Sequence, residues 1–162
     1  MSGKITGLAK RHERRAPMQT LTKVQISTEA GLVGDFKGKK HKTRQITVLA
    51  SEDWAKALAS LPLEAEKLAW TTRRANILTE GLRLPRVKGA ILAIGEIQLE
   101  VTGQTYPCRR MDEAYSGLLK ALAPEWRGGV TCRVLVGGDV QVGNAISVFS
   151  SPPEPPPRIL PG

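Results

Sequence analysis

From Glu96 to Thr102 the chain alternates strictly, with Ile97, Leu99 and Val101 on one side and Gln98, Glu100 and Thr102 on the other. A period of two is the pattern of a half-buried strand. It recurs at Val130, Cys132, Val134 and Val136. Other short apolar runs read as strands: Lys4 to Leu8, Thr20 to Ser27, Arg44 to Ala50, the run that Arg73 to Leu78 leads into, Ala90 to Ile94, and Val140 to Phe149. Gly137-Gly138-Asp139 predicts a hairpin turn between the last two strands. Glycines at 31, 34 and 38 punctuate a long basic loop ending near Thr43. Helical spacing is rarer. Ser51 is placed to cap a helix carrying Trp54, Leu58 and Leu61 on one face. Leu63 to Trp70 suggests a second short helix. Met111, Tyr115, Leu118, Leu119 and Leu122 predict one over 111–123. Seven or eight short strands with two or three helices specify a mainly β (α+β) fold. The expected architecture is a closed or nearly closed β-barrel with the helices on its outside. One domain spans 1–149. Six of the 11 prolines fall in 150–162, which is expected to be a disordered tail.

Composition narrows the function classes. At 162 residues with 41% hydrophobic content, a single sizeable core is possible. No apolar run approaches the ~20 residues of a membrane span, and Met1 to Lys10 lacks a secretory pattern. Cys108 and Cys132 with His12 and His41 make neither a disulfide framework nor a zinc set. A reduced, cytoplasmic setting fits. The net charge of +9 is concentrated: residues 1–44 hold 11 Lys and Arg against three acids, and the remaining 118 hold 13 against 12. Such a segment suits an anion: phosphate, a phosphorylated cofactor or nucleic acid. Aromatics are only 4% of the chain, too few for base-stacking platforms, which favours a small anion. Neither a P-loop nor a dinucleotide fingerprint occurs.

The candidate reactive group is Cys108, in Thr105-Tyr106-Pro107-Cys108-Arg109-Arg110-Met111. Gly103 breaks the preceding strand, and Pro107 cannot extend it because it has no N–H. Cys108 therefore falls in a strand-to-helix turn between cationic neighbours. Such a setting favours the thiolate, which is the nucleophile and metal ligand. The alternative is a half-buried thiol in a loop. Arg73 and Arg74 can hold phosphate oxygens through a planar fork; the alternative is a surface pair beside a strand. They are expected to outrank Lys37, Lys39 and Lys40, which read as a hydrated loop. Asp35 after Gly34 reads as a turn former, and Cys132, sharing a face with valines, as a buried and inert thiol.

In order along the chain stand Gly31-Leu32-Val33-Gly34-Asp35, Arg44-Gln45, Arg73-Arg74-Ala75-Asn76, Gly89 with Ile94-Gly95, Pro107-Cys108-Arg109-Arg110-Met111, Arg127-Gly128-Gly129, and Gly138 with Val142-Gly143-Asn144. This set, from about residue 3 to 148, resembles the MOSC domain, the C-terminal module of molybdenum cofactor sulfurases that also occurs as a small bacterial protein. The resemblance implies a β-barrel that binds molybdenum cofactor (molybdopterin), a pterin bearing a phosphate. It implies that Cys108 carries sulfur as a persulfide or ligates molybdenum. The cofactor contacts it implies are Arg44, Arg73, Arg74, Asn76, Arg109 and Arg127. Reduction of N-hydroxylated compounds is the enzymatic version. The chain is too short to include the pyridoxal-phosphate domain of a full sulfurase, so a sulfur donor or redox partner protein is expected. The rival expectation is a non-catalytic basic module for nucleic acid or another polyanion.

Overall fold

The computed structural model describes residues 2–106 and 108–156. Its centre is a closed seven-stranded barrel. The strands are β1 (Ser2–Lys10), β5 (Ile46–Ala50), β6 (Ile77–Glu80), β7 (Ile91–Ile94), β8 (Ile97–Gln104), β9 (Val130–Val136) and β11 (Ala145–Ser150). They run in the order β11-β7-β8-β9-β5-β6-β1, and β1 pairs back onto β11. Among the described residues only β5 and β6 pair in parallel, so they need a long crossover. It holds α2 (Ser51–Ala59) and 3-10 turns at Leu63–Lys67 and Trp70–Arg73. β2 (Gln19–Leu21) extends the sheet beyond β1, and β3 (Lys23–Ser27), β4 (Gly31–Leu32) and β10 (Gly138–Gln141) form a separate small sheet.

The alternation read from the sequence is what fills the barrel. Ile97, Leu99 and Val101 of β8 point inward with Val130, Cys132 and Val134 of β9 and Ile46 and Val48 of β5. Cys132 is fully buried there. A second core lies outside the wall. Leu49 projects from the other face of β5 into Trp54, Leu58, Met111, Leu118 and Leu122. Met111 belongs to α3 (Arg109–Ala114), and the two leucines to α4 (Leu118–Leu122).

Several expectations are corrected. Thr20 to Ser27 is two strands in different sheets, because the chain turns at Thr22, whose carbonyl accepts from Val142 N at 2.8 Å. Gly137–Asp139 is no hairpin: β10 pairs with β3, not β9. The run from Val140 to Phe149 breaks at Val142–Asn144, where the Asn144 side chain accepts from Gln141 N at 2.8 Å. The helix expected over 111–123 begins at Arg109 and is two pieces, split before Gly117, whose φ is +92°. Ser51 caps nothing; the N-cap is Ala50. The basic loop contains β4 and a helical turn, α1 (Lys37–Lys40). At the start of the proline-rich segment Ser150 is still in β11, and Glu154 accepts from Arg83 Nη1 at 2.8 Å and Arg86 N at 2.7 Å. Residues 157–162 lie outside the described residues.

Candidate functional site

Since the barrel interior is filled by side chains, a ligand must be held on its outer wall. There the polar residues that alternate with the core make a floor: Thr47 of β5, Glu100, Thr102 and Gln104 of β8, and Thr131 and Arg133 of β9. Above it is a cavity of about 710 Å³. Its walls come from Arg11, the α1 segment, Arg73 to Ala75, Lys88, and the stretch around Cys108. Eight basic residues line it (Arg11, Lys37, Arg44, Arg73, Arg74, Lys88, Arg110 and Arg133) against one acid, Glu100. That acid is already paired, at 2.5 Å from Arg133 Nε.

Two side chains hold the basic walls in place. Buried Asp35 accepts from Arg11 N at 3.0 Å and Lys37 N at 3.2 Å, so one carboxylate staples two cationic segments together. It acts as a local structure former, as its place after Gly34 suggests. Buried Gln45 donates to the carbonyls of Thr28 (2.8 Å) and Gly38 (3.3 Å) and accepts from Val134 N (2.8 Å). The loop passes so close to its neighbour that a Cβ at Gly38 would lie 1.6 Å from the Ala30 carbonyl oxygen. No other residue fits there, and Lys37 is thereby fixed over the cavity. Burial, and then the charge of Arg11, push the Lys37 amine down to about 8, although Asp35 opposes this. His41 is held below its ordinary value by burial and by Arg44, Lys37 and Lys40.

Arg73 is buried and donates from Nε to Gly128 O and from Nη2 to Thr105 O, both at 3.0 Å. It thus ties the Gly128 turn to the segment that carries Cys108. A Cβ at Gly128 would sit 2.5 Å from that same Thr105 oxygen. Burial lowers the Arg73 guanidinium to about 10, and negative charge at Cys108 acts in the opposite sense. Arg74 has left-handed backbone, φ +66°, and donates from Nη2 to Ala16 O. Its buried Nε has no partner among the described residues, and neither has the buried Thr105 hydroxyl. Both residues line the cavity. Thr79 Oγ1 and Arg127 Nε, away from the cavity, are unmatched in the same way, so it is the accessible guanidinium and amine groups of the wall that a polar ligand would meet. Cys108 is exposed beside them.

Of the residues singled out from sequence, Cys108, Arg44, Arg73 and Arg74 come together here. Asn76, Arg109 and Arg127 do not. The Asn76 carboxamide accepts from Thr47 N at 2.9 Å and donates to Ala9 O at 3.2 Å, joining three strands. Arg109 is exposed, and its neighbour Arg110 lines the wall instead. Arg127 donates to Ala121 O at 3.2 Å and lies 3.6 Å from Glu125. The hydrated-loop reading holds for only two of the three lysines. Lys37 is half-buried in the wall, while only Lys39 and Lys40 are solvated. Arg11 and Lys37 were not identified as site residues from the sequence; the available signal was the acid, Asp35, between two cationic positions. No cluster of three His, Cys, Asp or Glu suited to a metal exists among the described residues. A metal here would have to arrive with most of its ligands.

The MOSC domain family matches residues 11–147. The chain belongs to the MOSC domain family. Solved structures agree on the fold. The YuaD protein of Bacillus subtilis is 17% identical, with a TM-score of 0.73, over 90% of this chain and 94% of that one. YiiM of Escherichia coli is 18% identical, with a TM-score of 0.70, over 93% and 72%. YiiM of Geobacillus stearothermophilus is 18% identical, with a TM-score of 0.61, over 91% and 73%. Among curated proteins nothing matches. The MOSC family is associated with molybdenum cofactor, and a cationic wall fits such a phosphate-bearing group. No helix among the described residues is long and apolar enough to cross a membrane.

Proposed function

We propose that this MOSC protein binds molybdenum cofactor, or a related anionic pterin, in the cavity on the barrel's outer wall. The observation that carries the reading is the lining: eight cations against one acid already paired, with Cys108 exposed at the edge. Arg11, Lys37, Arg44 and Arg74 would hold the anionic groups, because charge-assisted hydrogen bonds to phosphate are the strong ones. Arg73 acts differently: engaged by two carbonyls, it positions the Cys108 segment. When bound, the cofactor supplies a redox-active metal. A soft thiolate at Cys108 suits molybdenum as a ligand, or a sulfane sulfur as cargo. In the second case the sulfur passes from a donor persulfide to Cys108 and the donor departs as a thiol. Reduction of N-hydroxylated compounds is the enzymatic form of the first. A cavity of about 710 Å³ suits a small molecule better than a polymer.

The test is elemental analysis of protein from a molybdenum-replete host, with pterin detected by fluorescence after oxidation. About one molybdenum and one pterin per chain are expected for the wild type. Loss of both is expected in a Lys37→Gln/Arg74→Gln double variant that still unfolds in one cooperative transition. Absence of molybdenum and pterin from the wild type would overturn the proposal.

A further inference from the structure

The cavity accounts for only part of the basic charge. Arg14, Arg15, Lys39, Lys40, Lys42 and Arg109 are exposed and do not line it. Each lies within a few residues of one that does. Lys39 and Lys40 fall between lining Lys37 and His41, Lys42 between His41 and Thr43, and Arg109 between Cys108 and Arg110. Arg14 and Arg15 follow Arg11, and the next residue, Ala16, is bonded to Arg74. Three chain segments that adjoin the lining therefore carry six exposed cations, against exposed Glu13, Asp112 and Glu113 in the same segments. None of the six is in an ion pair among the described residues. A ligand inside the cavity would touch none of them. In the lining Tyr106, two residues before the exposed thiol, is 76% exposed in a chain with only seven aromatic side chains. Tyr106 shares the lining with Arg73, Arg74 and Arg110, and tyrosine and arginine are the side chains enriched in protein-binding anchors. A ring of like charge steers an oppositely charged surface to dock. Nucleic acid would be served by several stacking aromatics, and Tyr106 is the one aromatic lining the cavity.

We propose that the rim of the cavity is a docking surface for the acidic face of a partner protein, which brings that partner's persulfide to Cys108, so that the outer sulfur passes to the Cys108 thiolate and the partner leaves as a thiol. The inference rests on Cys108 as the reacting group. The sequence places most of its excess charge in residues 1–44, and Arg11, Lys37 and Arg44 of that segment line the cavity with Cys108.

The test measures docking apart from sulfur chemistry. Fluorescence anisotropy follows a labelled glutamate-rich peptide binding to the Cys108→Ser protein, with a glycine-serine peptide as control. Binding of the acidic peptide should weaken at least tenfold when Arg14, Arg15, Lys39, Lys40 and Lys42 are all changed to Gln, and more than twofold in Tyr106→Ser. In the wild type, Cys108 should be modified about tenfold faster by the acidic peptide bearing an activated disulfide than by the neutral one, an advantage that salt removes. A small dianionic disulfide should react at nearly equal rates with wild type and rim variant. Equal binding of both peptides, or acidic-peptide binding unchanged in the rim variant, would overturn the proposal. So would a single-stranded oligonucleotide displacing the peptide at equal or lower concentration, which would assign the rim to nucleic acid. An equal loss of rate for the small disulfide would assign it to steering small anions. Docking without molybdenum or pterin in the purified protein would sink the cofactor reading alone.

Discussion

Lys37 offers the sharpest test of the cationic wall. Burial and the charges of Arg11, Arg73 and Arg44 bring its amine from an ordinary 10.5 to about 8, against the pull of Asp35. Between those two values the folded chain holds fewer protons than the unfolded one, so stability rises with pH across that window. Below pH 8 the penalty is complete. At 1.36 kcal/mol per pH unit its upper bound is about 3 kcal/mol; Lys37 is only half-buried, so about 1.5 kcal/mol is the working figure. Lys37→Gln should therefore be more stable than the parent at pH 7 by about that amount, or roughly 3–6 °C in a chain of this size, with the difference shrinking above pH 8 and gone only above the ordinary value of 10.5. An anion in the cavity reverses the effect, because it favours the ammonium. Sulfate keeps its charge throughout this range, so its affinity should fall by up to about tenfold per pH unit above pH 8. The assay is calorimetric titration with sulfate from pH 7 to 9.5 in a Cys108→Ser background, with and without Lys37→Gln. Sulfate affinity independent of pH in the parent, or the same fall in the glutamine variant, would refute the reasoning.

Cys108 should take up an alkylating agent first at limiting reagent, as read by peptide mass spectrometry, and Cys132 only after unfolding. Burial pushes the Cys132 thiol up and keeps it neutral, and Cys132→Ser should cost about 1–3 kcal/mol in denaturant melts by placing a hydroxyl among apolar side chains. Arg73→Ala removes two charge-assisted hydrogen bonds from buried carbonyls and should cost about 3 kcal/mol. Arg73→Lys should not restore it, because an ammonium cannot span both acceptors. Asn76→Ala should cost about 2 kcal/mol by stranding the groups it joins, yet leave sulfate affinity within twofold of the parent.

The barrel was readable because a closed sheet with a filled interior imposes a two-residue period on each strand. Glu96 to Thr102 and Val130 to Val136 show it without interruption. Pairing is a different matter. Nothing in Thr20 to Ser27 announces that its halves join different sheets, nor does Gly137-Gly138 say that the returning strand passes over to β3. Those choices are made by long-range contacts such as Val142 N to Thr22 O. The site divides in the same way. Cys108 and the Arg73-Arg74 pair lie in stretches with their own local signature. Arg11 and Lys37 join them only because one buried carboxylate grips the backbone of both. Asn76 was grouped with the arginines as a near neighbour in sequence. The left-handed turn at Arg74 and the strand that follows send its side chain into the sheet instead.

The uncompensated wall also makes a claim about salt. Two unit charges about 8 Å apart at an effective dielectric of 20 repel by about 2 kcal/mol, and eight basic residues share this cavity with one paired acid. The ligand-free fold therefore carries a repulsion that ions relieve. Sodium chloride should raise the melting temperature, whereas a protein held by exposed ion pairs would lose stability as they are screened. Sulfate at equal ionic strength should do more, for two reasons that a variant can separate. Sulfate strengthens apolar burial in any protein, and that part should persist in a Lys37→Gln/Arg74→Gln variant. Binding in the cavity adds RT ln(1 + [L]/Kd), about 2.7 kcal/mol at a hundredfold excess over Kd, and that part should vanish with the two cations. Melting curves in matched chloride and sulfate series, on both proteins, give the two contributions by difference. A wild-type midpoint that falls with chloride, or a sulfate increment of equal size in both proteins, would show that the wall's charge is balanced by something other than a bound anion.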